Sequence, residues 1–146
     1  MLALVQRVTT ASVSVKNLVV GQINQGLLAF ICIEKSDDSK NLERMAEKLT
    51  KYRIFTDAND KMNLSVRDIE GGILLVPQFT LSADTKKGLR PNFSNSAPTN
   101  FSKHMFDAFV GLVRNKYSNV EVGKFGSDMQ VSLVNNGPVT FLLSSK

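Results

Sequence analysis

The sequence contains one cysteine and one histidine among its 146 residues, and it has no tryptophan. A single cysteine excludes a disulfide within the chain, and one Cys with one His is too small a ligand set for a His/Cys zinc site. No apolar run reaches the roughly 18 residues that a membrane-spanning helix needs. The opening residues 1–7 form too short an apolar stretch for a signal peptide. We therefore expect a cytoplasmic protein that uses no metal and no other cofactor.

Charge is modest in amount and uneven in sign. Charged residues make up 21% of the chain and hydrophobic residues 42%, which is typical of a folded protein with one core. Lys and Arg number 18 against 13 Asp and Glu, so the net charge is +5. This excess favours anionic partners, with nucleic acid the foremost class. The length predicts a single domain over residues 1–146.

Alternation of apolar and polar residues, together with short apolar runs, predicts strands before, between and after two helical segments. The predicted strands cover residues 2–8, 11–15, 19–23, 26–33, 62–66, 73–76, 120–122, 129–134 and 139–143. Several of these segments alternate, whereas 26–33 is apolar throughout, as in a strand covered on both faces. Two covered faces require a further layer. We therefore expect a mixed α/β fold, a three-layer sheet–sheet–helix sandwich.

Two amphipathic helices are predicted to supply the helical layer. The first follows the capping residues Asp37, Asp38 and Ser39 and repeats apolar residues at a spacing of three and four. The second starts near Thr99 and ends near Tyr117. Its predicted buried stripe is Phe101, Met105, Ala108, Phe109, Leu112 and Val113.

The usual catalytic motifs are missing. No segment matches a Gly-rich nucleotide-binding loop or a GxSxG elbow. His104 falls beside the predicted buried stripe of the second helix, which is typical of a partly buried structural histidine. Cys32 lies in an apolar run and is more typical of a core residue than of a nucleophile. The aspartates match the spacing of no calcium loop. An enzyme with this sequence would have to work largely without a side-chain base.

Two short segments remain as candidate sites. Residues 76–81, VPQFTL, follow a buried strand and offer backbone N–H groups and a hydroxyl, the materials of an oxyanion hole. Residues 135–140, NNGPVT, contain the Asn-Gly pair that is typical of a hairpin turn, although Pro138 would begin the next strand without an N–H. Taken alone, each segment is more typical of a turn than of a site.

Taken together, several blocks in order give a specific signal. They are QRV at 6–8, ASV at 11–13, YRIF at 52–55, KMNL at 61–64, QFTLSAD at 78–84, GLRPNF at 88–93, FGSDMQVSL at 125–133 and NNGPVT at 135–140. With these blocks the chain resembles the D-aminoacyl-tRNA deacylases nearly from end to end. The resemblance implies a three-layer fold and a cytoplasmic homodimer. It also implies hydrolysis of the ester that joins a D-amino acid, or glycine mischarged on tRNA-Ala, to the terminal ribose of tRNA.

The resemblance also implies roles for particular residues. In the family, the pair matching Gly137 and Pro138 has a cis peptide bond and reaches into the active site of the opposite subunit. Its carbonyl groups occupy the space that an L side chain would need, so L-aminoacyl-tRNA is rejected. The segment matching Gln78, Phe79 and Thr80 forms the floor under the terminal adenosine and the scissile carbonyl. Arg7 matches a residue that braces the Gly-Pro pair, and Met129 matches one near the adenosine.

The sequence departs from the family at Pro77, where a serine is usual. Proline has neither a hydroxyl nor a backbone N–H, so no role of that serine can be assigned to this chain.

The proposed substrate can supply the polar group that the protein lacks, because the 2′-hydroxyl of the terminal ribose lies beside the ester. That hydroxyl can help to activate water while backbone donors stabilise the oxyanion. We expect Thr80 to form a hydrogen bond and not to attack, since no base in the motif could take its proton. Lys86, Lys87 and Arg90, in the basic loop 83–98, suit contact with tRNA phosphates.

Two other classes of protein remain as alternatives. A non-catalytic RNA-binding module would explain the positive charge, but it should interleave exposed aromatic residues with Lys and Arg. Most of the nine phenylalanines fall on predicted core faces instead. A metal-dependent hydrolase would need a cluster of ligands that the sequence does not show.

Overall fold

The computed structural model describes residues 1–86, 88–94 and 96–146. Its strands are β1 (Leu2–Val15), β2 (Leu18–Ile23), β3 (Gly26–Cys32), β4 (Phe55–Thr56), β5 (Met62–Leu64), β6 (Gly72–Pro77), β7 (Val120–Val122) and β8 (Gln130–Ser144). Its helices are α1 (Ser39–Lys51) and α2 (Thr99–Lys116), and a 3₁₀ segment, the 79–82 turn, spans Phe79–Ser82. The predicted mixed α/β fold with two amphipathic helices is confirmed for these residues.

Within the described residues, the main sheet has the strand order β2-β1-β3-β6-β7, and β8 pairs with β1. The long strand β1 organises it: its first half pairs with β3, its second half with β2, and both halves with β8. The pairs β3–β6 and β6–β7 are parallel, and the others are antiparallel. A separate small ribbon joins β4 and β5.

The central strands β3 and β6 are buried on both faces. Leu27 and Leu75 belong to the larger hydrophobic cluster, which includes the buried faces of α1 and α2. Leu28 and Leu74 belong to a second cluster, which includes Val13 of β1 and residues of β2 and β8. This explains why 26–33 is apolar throughout, since a strand with both faces covered has no exposed positions for polar residues.

Helix α1 agrees with its sequence pattern. Asp38 caps it: the Asn41 backbone N–H donates to the Asp38 carboxylate at 2.9 Å, and the Asn41 side chain accepts from the Asp38 N–H at 3.1 Å. The apolar stripe from Leu42 to Leu49 is buried in the larger hydrophobic cluster, together with residues of α2 and of the sheet. No helix in the described part of the chain is long and apolar enough to cross a bilayer.

Helix α2 begins at Thr99 as predicted, but its buried face is rotated from the predicted stripe. The buried residues are Ser102, Phe106, Phe109, Val110 and Val113. Ala108 and His104 are exposed, so the expectation of a partly buried histidine is wrong. Apolar residues occupy a wide arc of this helix, and contact with α1 and the sheet decides which line within the arc faces the core.

Strand β8 passes through the Asn-Gly segment without a hairpin. In the pairing of β8 with β1, Gln6 lies opposite Thr140 and Val8 opposite Asn135. An advance of two residues along β1 therefore corresponds to five residues along β8. The extra residues, 136–138, bulge from the edge of the sheet; we call them the 136–138 bulge. The Asn135 side chain closes its base, accepting from the Val139 N–H at 2.7 Å and donating to its carbonyl at 3.3 Å.

Candidate functional site

A pocket of about 480 Å³ opens at the carboxyl end of β6. The start of the 79–82 turn, the first turns of α2 and the segment before β8 form its walls. Its lining includes Gln78, Phe79, Thr99, Ser102, Phe106 and Met129. The carboxyl ends of parallel strands are a common place for ligand sites, because the chain leaves the sheet there and opens a crevice. The structure therefore brings the predicted Gln78–Phe79 floor and Met129 together.

The backbone of this floor presents two free donors. The Gln78 N–H continues the β3–β6 ladder and donates to the Ile31 carbonyl at 2.7 Å. Among the N–H groups that residues 76–81 were expected to offer, that of Gln78 is therefore not available to a ligand. The N–H groups of Phe79 and Thr80 have no acceptor among the described residues. The first N–H groups of a helical turn lack partners within the turn, so both can serve a ligand oxygen.

The Thr80 side chain has an amide as its neighbour. Gln78 Nε2 donates to Thr80 Oγ1 at 2.5 Å. An amide cannot accept the proton that a nucleophilic hydroxyl must lose, so this arrangement supports hydrogen bonding by Thr80. His104 does not line the pocket. Burial raises the pKa of the Cys32 thiol, which keeps it protonated and a poor nucleophile.

Pro77 fits the ladder without loss of a hydrogen bond. Backbone N–H groups alternate in direction along a strand, so the nitrogen of residue 77 points away from β3, the partner that Gln78 N–H contacts. On that other side, the pairing with β7 ends at Leu75 and Val122. Proline is tolerated where a strand has no acceptor for its N–H. Proline at this position therefore leaves the backbone of the floor intact.

Arg7 braces the 136–138 bulge. Its Nε donates to the Asn136 carbonyl at 2.8 Å, and its Nη1 donates to the Ile54 carbonyl at 2.8 Å and to Thr56 Oγ1 at 3.3 Å. The planar guanidinium thus links the bulge to the β4 region in a fixed orientation. The Gly137–Pro138 peptide bond is cis, as the resemblance implies, and both residues are exposed.

The bulge and the pocket lie apart in one chain. Gly137 and Pro138 do not line the pocket. Arg7 pairs with Leu27, whereas Pro77 pairs with Ile31, four residues further along β3. Four residues correspond to about 13 Å along the strand, and three strand spacings from β8 to β6 add about 14 Å across the sheet. One chain therefore does not bring the two predicted segments together.

The basic loop runs beside the pocket. Lys86 and Arg90 are exposed, and Lys87 lies outside the described residues. Backbone bridges join Asp84 to Asn92 and Ser96 to Glu34, which holds the loop near the 79–82 turn. The described residues contain no group of three or more His, Cys, Asp or Glu side chains that could hold a metal ion.

Several pocket residues escaped the sequence analysis. Thr99 and Ser102 lie three apart on the first turns of α2, and Phe106 follows one turn later on the same face. The spacing of these residues is visible in the sequence, beside the predicted apolar stripe. It identifies them as pocket residues only when the buried face of α2 is known.

The sequence is similar to one family of known proteins. The family model described as D-Tyr-tRNA(Tyr) deacylase matches residues 4–144. A D-aminoacyl-tRNA deacylase from Teredinibacter turnerae is 55% identical over 99% of this chain and 100% of its own length. One from Francisella tularensis subsp. novicida is 55% identical over 97% of each chain.

The fold is similar to solved structures of the same length. A structure titled c-Myc DNA Unwinding Element Binding Protein superposes with a TM-score of 0.95 at 38% identity, covering 100% of this chain and 99% of that one. A probable eukaryotic D-amino acid tRNA deacylase superposes with a TM-score of 0.82 at 20% identity, covering 97% of each chain. The second match shows a shared fold.

Proposed function

Since the chain belongs to the D-Tyr-tRNA(Tyr) deacylase family, we propose that the pocket and the 79–82 turn form the site where it acts. The protein is a D-aminoacyl-tRNA deacylase, a carboxylic ester hydrolase. The observation that supports this proposal is a pair of N–H groups, of Phe79 and Thr80, that have no acceptor among the described residues and lie beside a pocket of about 480 Å³. That volume suits a nucleoside such as the terminal adenosine, with Met129 in its wall.

In the proposed reaction, water attacks the carbonyl carbon of the ester. The resulting oxyanion accepts hydrogen bonds from the N–H groups of Phe79 and Thr80, each of which contributes about 3–4 kcal/mol to the transition state. The bond from the carbonyl carbon to the ribose 3′-oxygen then breaks. That oxygen takes a proton, and the free D-amino acid leaves. The neighbouring 2′-hydroxyl of the substrate orients and activates the water in place of a protein base.

We expect Thr80→Ala to fold normally and to keep deacylase activity within about tenfold of the original. The variant keeps the backbone N–H and loses a hydroxyl whose neighbour is the Gln78 amide. Single-turnover deacylation of D-tyrosyl-tRNA measures the rate. A covalent aminoacyl adduct on Thr80, trapped by acid quench and found by mass spectrometry, would contradict this role.

Pro77→Ser is expected to change the rate by less than about threefold. The substitution restores the usual residue of the family at a position where no ladder hydrogen bond is made. The same single-turnover assay serves, with the melting temperature as a control for folding. An increase of about a hundredfold, equal to about 2.7 kcal/mol, would show instead that the serine takes part in the reaction.

Chiral selection is proposed to require a second copy of the chain. The 136–138 bulge is exposed, braced by Arg7 and distant from its own pocket, which supports insertion into the pocket of a partner in a homodimer. The carbonyls of Gly137 and Pro138 would then fill the space of an L side chain. A D side chain would point away, and glycine has none, so both are accepted.

The proposed enzyme is a single three-layer domain. Residues 1–146 form one domain, and the two hydrophobic clusters on opposite faces of β3 and β6 support a three-layer sheet–sheet–helix arrangement. Lys86, Lys87 and Arg90 contact phosphates at the acceptor end of tRNA, for which their positive charge and the exposure of Lys86 and Arg90 are suited. The reaction takes place in the cytoplasm and uses no cofactor.

The test is deacylation of matched substrates by the purified protein. We expect D-tyrosyl-tRNA and glycyl-tRNA-Ala to be cleared, and L-tyrosyl-tRNA to be spared by a factor of at least about a hundred. Each reaction is repeated with a chelator, which should not change the rates. Equal rates on D- and L-tyrosyl-tRNA would reject chiral selection, and no turnover of any ester would reject the proposed site.

A further inference from the structure

The carbonyl group of Phe79 is contacted by two side chains of the protein, Ser82 and Cys32. Ser82 Oγ donates to the Phe79 carbonyl oxygen at 2.8 Å, and Cys32 Sγ lies 3.6 Å from the same oxygen, within reach of a thiol hydrogen bond. Cys32 is fully buried, and burial raises the pKa of its thiol, so the proton needed for donation stays on the sulfur at neutral pH. The Phe79 ring packs on Phe93 with the centroids 5.3 Å apart.

A second hydroxyl sets the direction of the first. Ser82 Oγ and Ser96 Oγ are 2.8 Å apart. A serine hydroxyl has one proton, so when Ser82 donates to Phe79 it must accept from Ser96. Ser96 is itself held by its backbone bridge to Glu34. The basic loop is thereby connected to the 79–82 turn by a chain of two hydroxyls.

The orientation of this carbonyl decides the orientation of a free donor. The Phe79 carbonyl and the Thr80 N–H belong to one planar peptide group, and that peptide bond is trans. In a trans peptide the C=O and N–H bonds point in opposite directions. Holding the oxygen toward Ser82 and Cys32 therefore directs the Thr80 N–H away from both side chains.

We propose that Ser82 is a positioning residue for the deacylase reaction, aiming the Thr80 N–H at the oxyanion, with Ser96 orienting the Ser82 hydroxyl and Cys32 supporting the same carbonyl. This inference rests on the proposed backbone oxyanion hole. None of the three side chains needs to contact the substrate. Without the Ser82 hydroxyl, the peptide group can tilt, and a donor that meets the oxyanion only in the transition state loses alignment.

The test compares Ser82→Ala, Ser82→Thr and Ser96→Ala with a matched control, Ser94→Ala, on D-tyrosyl-tRNA. Ser94 lies in the same loop and is exposed, and its hydrogen bonds in the structure are made by its backbone. We expect kcat to fall about tenfold in Ser82→Ala and severalfold in Ser96→Ala, with KM within about twofold in both. Ser82→Thr, which keeps a hydroxyl, should restore kcat, and Ser94→Ala should match the original protein.

A double substitution separates positioning from independent effects. If Ser96 acts only by orienting the Ser82 hydroxyl, the double variant Ser82→Ala/Ser96→Ala should have the same kcat as Ser82→Ala alone. Unchanged kcat in Ser82→Ala, a rise in KM alone, or no rescue by Ser82→Thr at equal melting temperature would overturn the inference. If Ser82→Ala does not fold, an unchanged kcat in Ser96→Ala would also overturn the inference. Inactivity of the original protein would instead count against the proposed function.

Discussion

Deacylation of D-tyrosyl-tRNA that carries its ester on a terminal 2′-deoxyadenosine is expected to fall by a factor of about 10²–10⁴, the range that general acid–base catalysis contributes. The pocket offers no histidine or carboxylate in its lining within the described residues, and the Thr80 hydroxyl accepts a hydrogen bond from the Gln78 amide. We therefore expect the activation of water to depend on the substrate hydroxyl. Single-turnover rates, corrected for the spontaneous hydrolysis of each ester, measure the effect.

The control measurement is the affinity of the protein for each substrate. The deoxy substrate should bind with an affinity within about threefold of the natural one, because the adenosine contacts and the phosphate contacts are unchanged. Loss of the 2′-hydroxyl should also exceed the effect of Thr80→Ala by at least about tenfold. A deoxy substrate hydrolysed within about threefold of the natural rate would place the activation of water in the protein.

Gly137→Ala is expected to lower the ratio of D- to L-tyrosyl-tRNA deacylation by at least about tenfold and to destabilise the protein by about 1–3 kcal/mol. Gly137 has φ +154°, and a Cβ built there would lie 2.5 Å from the backbone nitrogen of Val139. Backbone cannot yield as a flexible side chain can, so the bulge must shift. In the proposed dimer, the carbonyls of the bulge would then leave the position from which we expect them to exclude an L side chain.

The D-to-L ratio is the deciding measurement, because the fraction of folded protein cancels in it. The matched control is Gly111→Ala, where a Cβ meets nothing within 4 Å and the residue lies in helix α2. That variant should keep the ratio and gain slightly in melting temperature, since alanine favours helix over glycine. A folded Gly137→Ala protein with an unaltered ratio would show that chiral selection arises elsewhere.

Features that depend on neighbours in sequence could be predicted well. Helix α1 begins after Asp38 because the capping side chain and its partner, Asn41, lie within one turn of each other. The apolar run 26–33 predicted a strand with two covered faces, since a strand buried on both sides is recognised from its own side chains alone. The ordered blocks of the sequence also identified the family, which the family model over residues 4–144 confirms.

Features that depend on distant segments required the tertiary structure. The wide apolar arc of α2 is compatible with several buried faces, and packing against α1 and the sheet selected the one containing Phe106. The Asn-Gly pair is typical of a hairpin, yet β1 pairs with β8 on both sides of it, and the hydrogen bonds of that long ladder leave residues 136–138 as a bulge.

The candidate site likewise combines features that depend on the local sequence with features that depend on distant segments. The sequence by itself determined that the QFT segment of residues 78–80 could supply backbone donors, because that depends on residue type and local chain alone. Only the tertiary structure decided which amides are free. The Gln78 N–H donates to the Ile31 carbonyl, 47 residues earlier, whereas the N–H groups of Phe79 and Thr80 have no acceptor in the part of the chain that the structure describes. A backbone donor belongs to a site only when no other strand satisfies it, and pairing between strands is a long-range property of the fold.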